Sequence, residues 1–157
     1  MACRFGTPTA ITQIFSEEGK LPIPTCWSPD GEEIDVFMLD AESRNSSIWT
    51  ISVTGGGHRQ LTTEDEGVFG YADLSSDGSL LAVVRCEGRR NSDTWAMSSV
   101  GGGRVPITSH PDYDDGPAWS PDGTRIAFVS TRSSNFDIWT VEGDVDQVRR
   151  DLEGLGQ

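Results

Sequence analysis

One motif recurs at a nearly constant interval, and it limits the folds open to this chain. In its fullest copy, Ala118-Trp119 leads into Ser120-Pro121-Asp122-Gly123, and Ile126-Ala127-Phe128-Val129-Ser130 follows. Pro121 presets the backbone angle for the first central residue of a turn. Ser120 and Asp122 can bond back to the local backbone, and Gly123 suits the left-handed position from which a strand restarts. The flanking aromatic and β-branched residues suit a sheet covered on both faces, so the motif predicts a hairpin. Earlier copies stand at Cys26-Trp27-Ser28-Pro29-Asp30-Gly31 and Asp73-Leu74-Ser75-Ser76-Asp77-Gly78.

Each copy heads a longer unit. A second apolar stretch follows at Ile48-Trp49-Thr50-Ile51, Thr94-Trp95-Ala96-Met97 and Ile138-Trp139-Thr140-Val141. Glycine turns at Gly55-Gly56-Gly57 and Gly101-Gly102-Gly103 then lead to Gln60-Leu61-Thr62 and Pro106-Ile107-Thr108. Positions 27, 74 and 119 are spaced by 47 and 45 residues, and Trp49, Trp95 and Trp139 by 46 and 44. All 5 tryptophans fall on these two phases, which scattered core tryptophans would not do. Four strands at this period predict an all-β chain of propeller blades.

These motifs resemble the TolB-type, WD-like β-propeller repeat over residues 25–142, most fully from Gly116 to Val141. Departures occur where Leu74 and Ser76 replace Trp and Pro, where Asp35 takes a small apolar position, and where Ser47 replaces the Asp seen at Asp93 and Asp137. A carboxylate at a usually buried site such as Asp35 needs a partner or water.

The expected organisation is one propeller unit over 1–157: an N-terminal strand and linker (1–24), blade one (25–62), blade two (63–108), blade three (109–142) and a tail (143–157). The segment Gly6 to Thr12 matches the ends of the fourth strands at Leu61-Thr62 and Ile107-Thr108. In the tail, Val145, Val148, Leu152 and Leu155 have helical spacing, and Asp144 with Gln147 resembles a capping box, so a short helix and a degenerate fourth strand both fit. Three blades are fewer than the four to eight of a closed propeller. Two arrangements follow: a strand-swapped homodimer in which two half-propellers form a six-bladed ring, or a fragment of a longer propeller.

Charge narrows the partners. The chain has 25 acidic and 12 basic residues, a formal net charge of −13, and Lys20 as its only lysine. A nucleic-acid polyanion would be repelled. The balance resembles that of proteins from salt-loving archaea, although a GC-rich genome also favours Arg over Lys. Cys3, Cys26 and Cys86 are odd in number and lack metal-ligand spacing. No stretch has the length of a membrane span and residues 1–24 carry no secretory leader pattern, which makes a cytoplasmic location the default. TolB itself is periplasmic, so the resemblance points to a location outside the cytoplasm if a signal peptide has been lost.

Candidate functional residues lie between blades. Glu64, Asp65 and Glu66 precede blade two, and His110, Asp112, Asp114 and Asp115 precede blade three. In propellers such loops lie by the central channel, where converging carboxylates would attract a hard cation such as calcium or a basic peptide. The alternative is that each Asp caps its own strand entry. Trp27, Asp30, Trp119 and Asp122 are expected to be structural, as are the pairs Arg132 with Asp137 and Arg85 with Asp93. His58 and His110 fall in different blades, and the chain has no nucleophile elbow and no phosphate-cradling glycine motif. No cofactor and no catalytic residue is expected. The resemblance implies a non-enzymatic module that docks a protein or peptide on its channel face. It also leaves open the gating propeller of a prolyl-oligopeptidase-type serine peptidase lacking its hydrolase domain. A metal-dependent polysaccharide lyase would call for a histidine cluster.

Overall fold

A computed structural model describes residues 11–63, 66–88, 91–143 and 145–155. The three motif copies build the same turn. Gly31, Gly78 and Gly123 have φ of 75°, 74° and 71°, and each amide donates to the carbonyl of the motif's leading serine at 2.8–2.9 Å. The serine hydroxyl donates to the motif Asp at 2.6–2.7 Å. The same carboxylate oxygen accepts the amide two residues on at 3.0 Å. Asp122 is held at about 2, chiefly by the Ser120 hydroxyl and then by the Thr124 amide. These carboxylates are spent on holding hairpins closed.

The hairpins extend into three antiparallel meanders. Blade one comprises β1 (Lys20–Trp27), β2 (Glu33–Asp40), β3 (Ser46–Ser52) and β4 (His58–Gln60). Blade two comprises β5 (Val68–Leu74), β6 (Leu80–Cys86), β7 (Ser92–Ser98) and β8 (Arg104–Pro106). Blade three comprises β9 (Asp114–Trp119), β10 (Arg125–Ser130) and β11 (Asp137–Glu142), with no fourth strand among the described residues. All three first strands pair with their neighbours through a register shift. β1 starts at Lys20, so the last five residues of the expected N-terminal strand and linker (1–24) belong to blade one. Pro22 and Pro24 are tolerated there because β1 pairs on one side only, with β2.

The tail resolves as helix α1 (Val145–Gly154) rather than a fourth strand. Val145, Val148 and Leu152 pack against the cluster of Leu80, Ala82, Ala96, Trp119 and Ile126 between blades two and three. Arg149 ties the helix down by bonding the Asp77 carboxylate and the Ser79 hydroxyl. After β11 the chain therefore turns back over blade two. Residues 1–10 lie outside the described set; Ile11 and Thr12, the described end of the expected N-terminal strand, belong to no strand.

Blades one and two join through Ile48, Leu61, Phe69, Ala72, Leu81, Val83 and Met97. Serines hook successive blades together. Ser46 Oγ donates to the Phe69 carbonyl at 2.6 Å and accepts the Phe69 amide at 2.9 Å, while Ser92 Oγ donates to the Asp114 carbonyl at 3.0 Å. Trp119 is buried in the second joint, whereas Trp27, its repeat equivalent, is 60% exposed. Trp27 and Trp119, both expected to be structural, therefore differ in setting: among the described residues no strand covers Trp27 as blade two covers Trp119.

Candidate functional site

The inter-blade loops do not assemble a ring of free carboxylates among the described residues. Glu66 accepts the Thr63 amide at 2.6 Å and pairs with Arg104, which lies over the Phe69 ring. Partial burial would raise the Glu66 carboxyl, but the Thr63 amide and Arg104 together hold it below its usual range. Asp114 is fully buried and binds Arg132 at 2.8 Å. Asp115 accepts the Tyr113 hydroxyl and the Gly116 amide. Burial, and then that carboxylate, push the Tyr113 phenol up. His110 Nδ1 accepts the Asp112 amide at 3.2 Å, and the Asp112 side chain is 52% exposed. Glu64 and Asp65 lie outside the described residues. Among the described residues, no three His, Cys, Asp or Glu side chains group as metal ligands.

Both expected arginine pairs are replaced by others. Arg132 turns to Asp114 and stacks over Phe128 and Trp139, while Asp137 accepts the Ser133 hydroxyl. Arg85 faces Asp93 in the register, yet it bonds Glu87 at 3.0 Å and covers the Trp95 ring. Asp93 instead takes the His110 amide at 3.1 Å. A long guanidinium gains more from an aromatic face plus a carboxylate than from its cross-strand neighbour alone.

Asp35 is 5% exposed and finds the partner its burial demands. Thr50 Oγ1 donates to it at 2.6 Å, and the Cys26 thiol points to it at 3.8 Å. Burial pushes the Asp35 carboxyl up despite the Thr50 bond. Burial, and then Asp35, push the Cys26 thiol up to about 12, and burial and Asp115 raise Cys86. Both shifts oppose the thiolate that a nucleophile requires. His58 lies against Phe15 and Trp49. A cleft of 690 Å³ opens beside α1 and is lined by Asp77, Asp122, Arg125, Glu142 and Arg149, but Asp77 and Asp122 already close turns there.

The half-propeller arrangement expected an open outer edge on blade three; what sequence reading missed is how much of the β11 face is exposed with it. β3 and β7 are largely buried, because the next blade's first strand packs on them, but β11 is exposed along nearly its whole length. Phe136 and Ile138 are 73% and 80% exposed. Ala118 and Thr140 are exposed, and Ala127 and Val129 half-buried, on the same blade. No helix among the described residues is long and apolar enough to cross a membrane. The signal in the sequence was the lapse of the repeat pattern after Val141, where Gly143 to Gln147 has neither a triple glycine nor a Leu-Thr ending.

Three similar proteins bear on this arrangement. A putative TolB from Agrobacterium tumefaciens superposes with a TM-score of 0.69 at 22% identity, covering 80% of this chain and 47% of that one. An oligogalacturonate lyase in complex with manganese superposes at 0.68 and 17% identity, covering 88% of this chain and 39% of that one. Dipeptidyl-peptidase 5 of Porphyromonas gingivalis is 25% identical over 139 residues, 82% of this chain and 20% of that protein. The chain thus spans less than half the length of each of these relatives. The TolB β-propeller domain model matches residues 10–153, and the chain belongs to that family.

Proposed function

We propose that this chain is a non-enzymatic propeller module that assembles with a protein partner through the open back of blade three. One observation carries the reading: β11 keeps the apolar pattern of β3 and β7 but lacks the cover they receive. A continuous exposed sheet face with a free strand edge favours pairing with another chain. The inter-blade loops are a weaker surface, since Glu66 and Asp114 are engaged internally while Asp112 remains open to a basic peptide. Light scattering in low and in molar salt tests the reading. Association that is lost in Ile138→Asp is expected; association unchanged by that substitution, or none at all, would count against it.

A second reading is favoured by the match to dipeptidyl-peptidase 5: this chain would be part of a propeller that gates a peptidase. A hydrolase reading frame continuing in the same gene would support it, and peptidase activity of the joined product would be its test.

A further inference from the structure

Resting on the assembly reading, we infer that the occupant of the open back of blade three is a second copy of this chain, whose Ile11-Thr12 supplies the end of the missing fourth strand and whose Trp27 seats beside it. The internal repeat is the template. In blade one, the Leu61 amide donates to the Ile48 carbonyl at 2.8 Å, and the Ile48 amide donates to Thr62 Oγ1 at 2.9 Å. In blade two, the Ile107 amide donates to the Thr94 carbonyl at 2.8 Å, and the Thr94 amide donates to Thr108 Oγ1 at 3.0 Å. Each latch is an aliphatic residue followed by threonine. The aliphatic member packs into the joint with the next blade, Leu61 in the first and Ile107 in the second.

Blade three has the receptor without the latch. Ile138 stands where Ile48 and Thr94 stand, on the edge of β11 that no described strand pairs. The front of blade one has the latch without the receptor. Ile11-Thr12 repeats the aliphatic–threonine pair, and Ile11 is 97% exposed. The adjoining Ile14 and Phe15 pack on Val36, Met38 and Ile51 at that front face.

A second complementarity lies on the same two faces. Leu74 and Trp119, the repeat equivalents of Trp27, bury themselves against the preceding blade. The Trp119 amide also donates to Asp73 across that joint at 2.7 Å. Ala118, at the Asp73 position of blade three, does not offer that bond, so the complementarity at the open joint is apolar. Trp27 is exposed at the front, and its counterpart surface, Ala118, Ala127 and Thr140, is open at the back. Phe136 replaces the serine hook of the earlier blades, so this joint is sealed by apolar contact rather than by a buried hydroxyl. Front and back belong to opposite ends of the three-blade arc. Two copies then meet at two identical joints related by a two-fold axis and make six blades.

Complementation tests the joint. Ile11→Asp spoils the latch and Ile138→Asp the receptor; both side chains are exposed, so each variant should unfold at the same urea midpoint as the parent under dilute conditions. We expect the parent to sediment as a dimer and each variant to dissociate roughly a hundredfold more readily, because an unpaired carboxylate would enter the joint. Mixing the two variants restores one intact joint and should recover a dimer. Dimers abolished by Ile138→Asp but indifferent to Ile11→Asp would overturn the latch while leaving the assembly reading standing. Dimers indifferent to both substitutions, or a parent monomeric at about 100 μM, would overturn both. If Ile11→Asp changes the urea midpoint, Trp27→Ser replaces it as the front-face probe, and if Ile138→Asp does, Thr140→Asp replaces it at the back, each with the same expected outcome.

Discussion

β7 and β11 carry nearly the same pattern, Asp-Thr-Trp-Ala-Met against Asp-Ile-Trp-Thr-Val, and their surroundings could hardly differ more. Thr94, Ala96 and Met97 are fully buried, whereas Ile138 and Thr140 are exposed. Burial of a propeller strand is a property of the blade that follows it. β7 is covered by β9, while the chain after β11 turns back as a helix over the joint between blades two and three. The hydrophobic effect acts on area removed from water, so an identical pattern stabilises one strand and leaves the other as an unspent interface.

The sharpest way to break this contrast is to place one change at both sites. Ala96→Asp buries an unpartnered carboxylate and should cost more than about 4 kcal/mol, a large part of the ~5–15 kcal/mol typical of a domain. Thr140→Asp, at the same repeat position, should stay within about 0.5 kcal/mol in urea unfolding followed by tryptophan fluorescence, at protein concentrations too low for association. Equal losses would mean that β11 is covered within a single chain.

A smaller effect is expected from the serine hooks. Ser46→Ala strands both the amide and the carbonyl of buried Phe69 and should cost about 2 kcal/mol, and Ser92→Ala about 1 kcal/mol. Phe136→Ser, at the equivalent position in blade three, loses only an edge-on contact of a largely exposed ring with Tyr113 and should cost less than about 1 kcal/mol in the single chain. A loss well above about 1 kcal/mol would show that Phe136 is held within its own chain by more than its edge-on contact with the Tyr113 ring.

Asp35 sharpens the comparison on the covered back of blade one. Because burial raises its carboxyl in the folded state, the folded chain holds this proton more tightly than the unfolded chain does. The contribution of this one group to wild-type stability should therefore fall as pH rises from the unfolded value of 3.8 through the folded one. It is read as the difference between the wild-type and Asp35→Asn chains, because Asp77 and Asp122, held low, act in the opposite sense. Asp35→Asn keeps an acceptor for Thr50 and does not titrate, so it should gain on the order of 1 kcal/mol at pH 7 and nothing below pH ~3.5. Thermal unfolding of both chains across pH 3–7 reads this out. Destabilisation by Asn at neutral pH would mean that the charged form is the one the fold requires.

The smallest effect belongs to the helix tether. Arg149 is partly exposed, and Arg149→Ala should cost less than about 1 kcal/mol, fading in molar salt. A loss well above that, or one that persists in salt, would identify α1 as part of the blade-two core rather than its cover.

How far these differences were legible varies by residue. The Ser-x-Asp-Gly turns are local, so Asp30, Asp77 and Asp122 could be placed without tertiary information. The phase of the tryptophans likewise announced the blades. Trp27 and Trp119 read alike in the chain and part company in the fold, because exposure depends on a preceding blade, which among the described residues only Trp119 packs against. Arg85 and Arg132 were beyond sequence reading for a related reason: a long side chain chooses among partners several strands away, and an aromatic face competes with the nearest carboxylate.

What the sequence determined by itself is the unit: four-strand pitch, turn chemistry and alternation are all short-range, and each repeat states them again. What only the tertiary structure decided is what the chain does after β11. Helical spacing at Val145, Val148 and Leu152 was compatible with two outcomes, and helix won because those side chains could be buried between blades two and three. That choice left the back of blade three in water, through contacts between residues distant in the chain that no local pattern encodes.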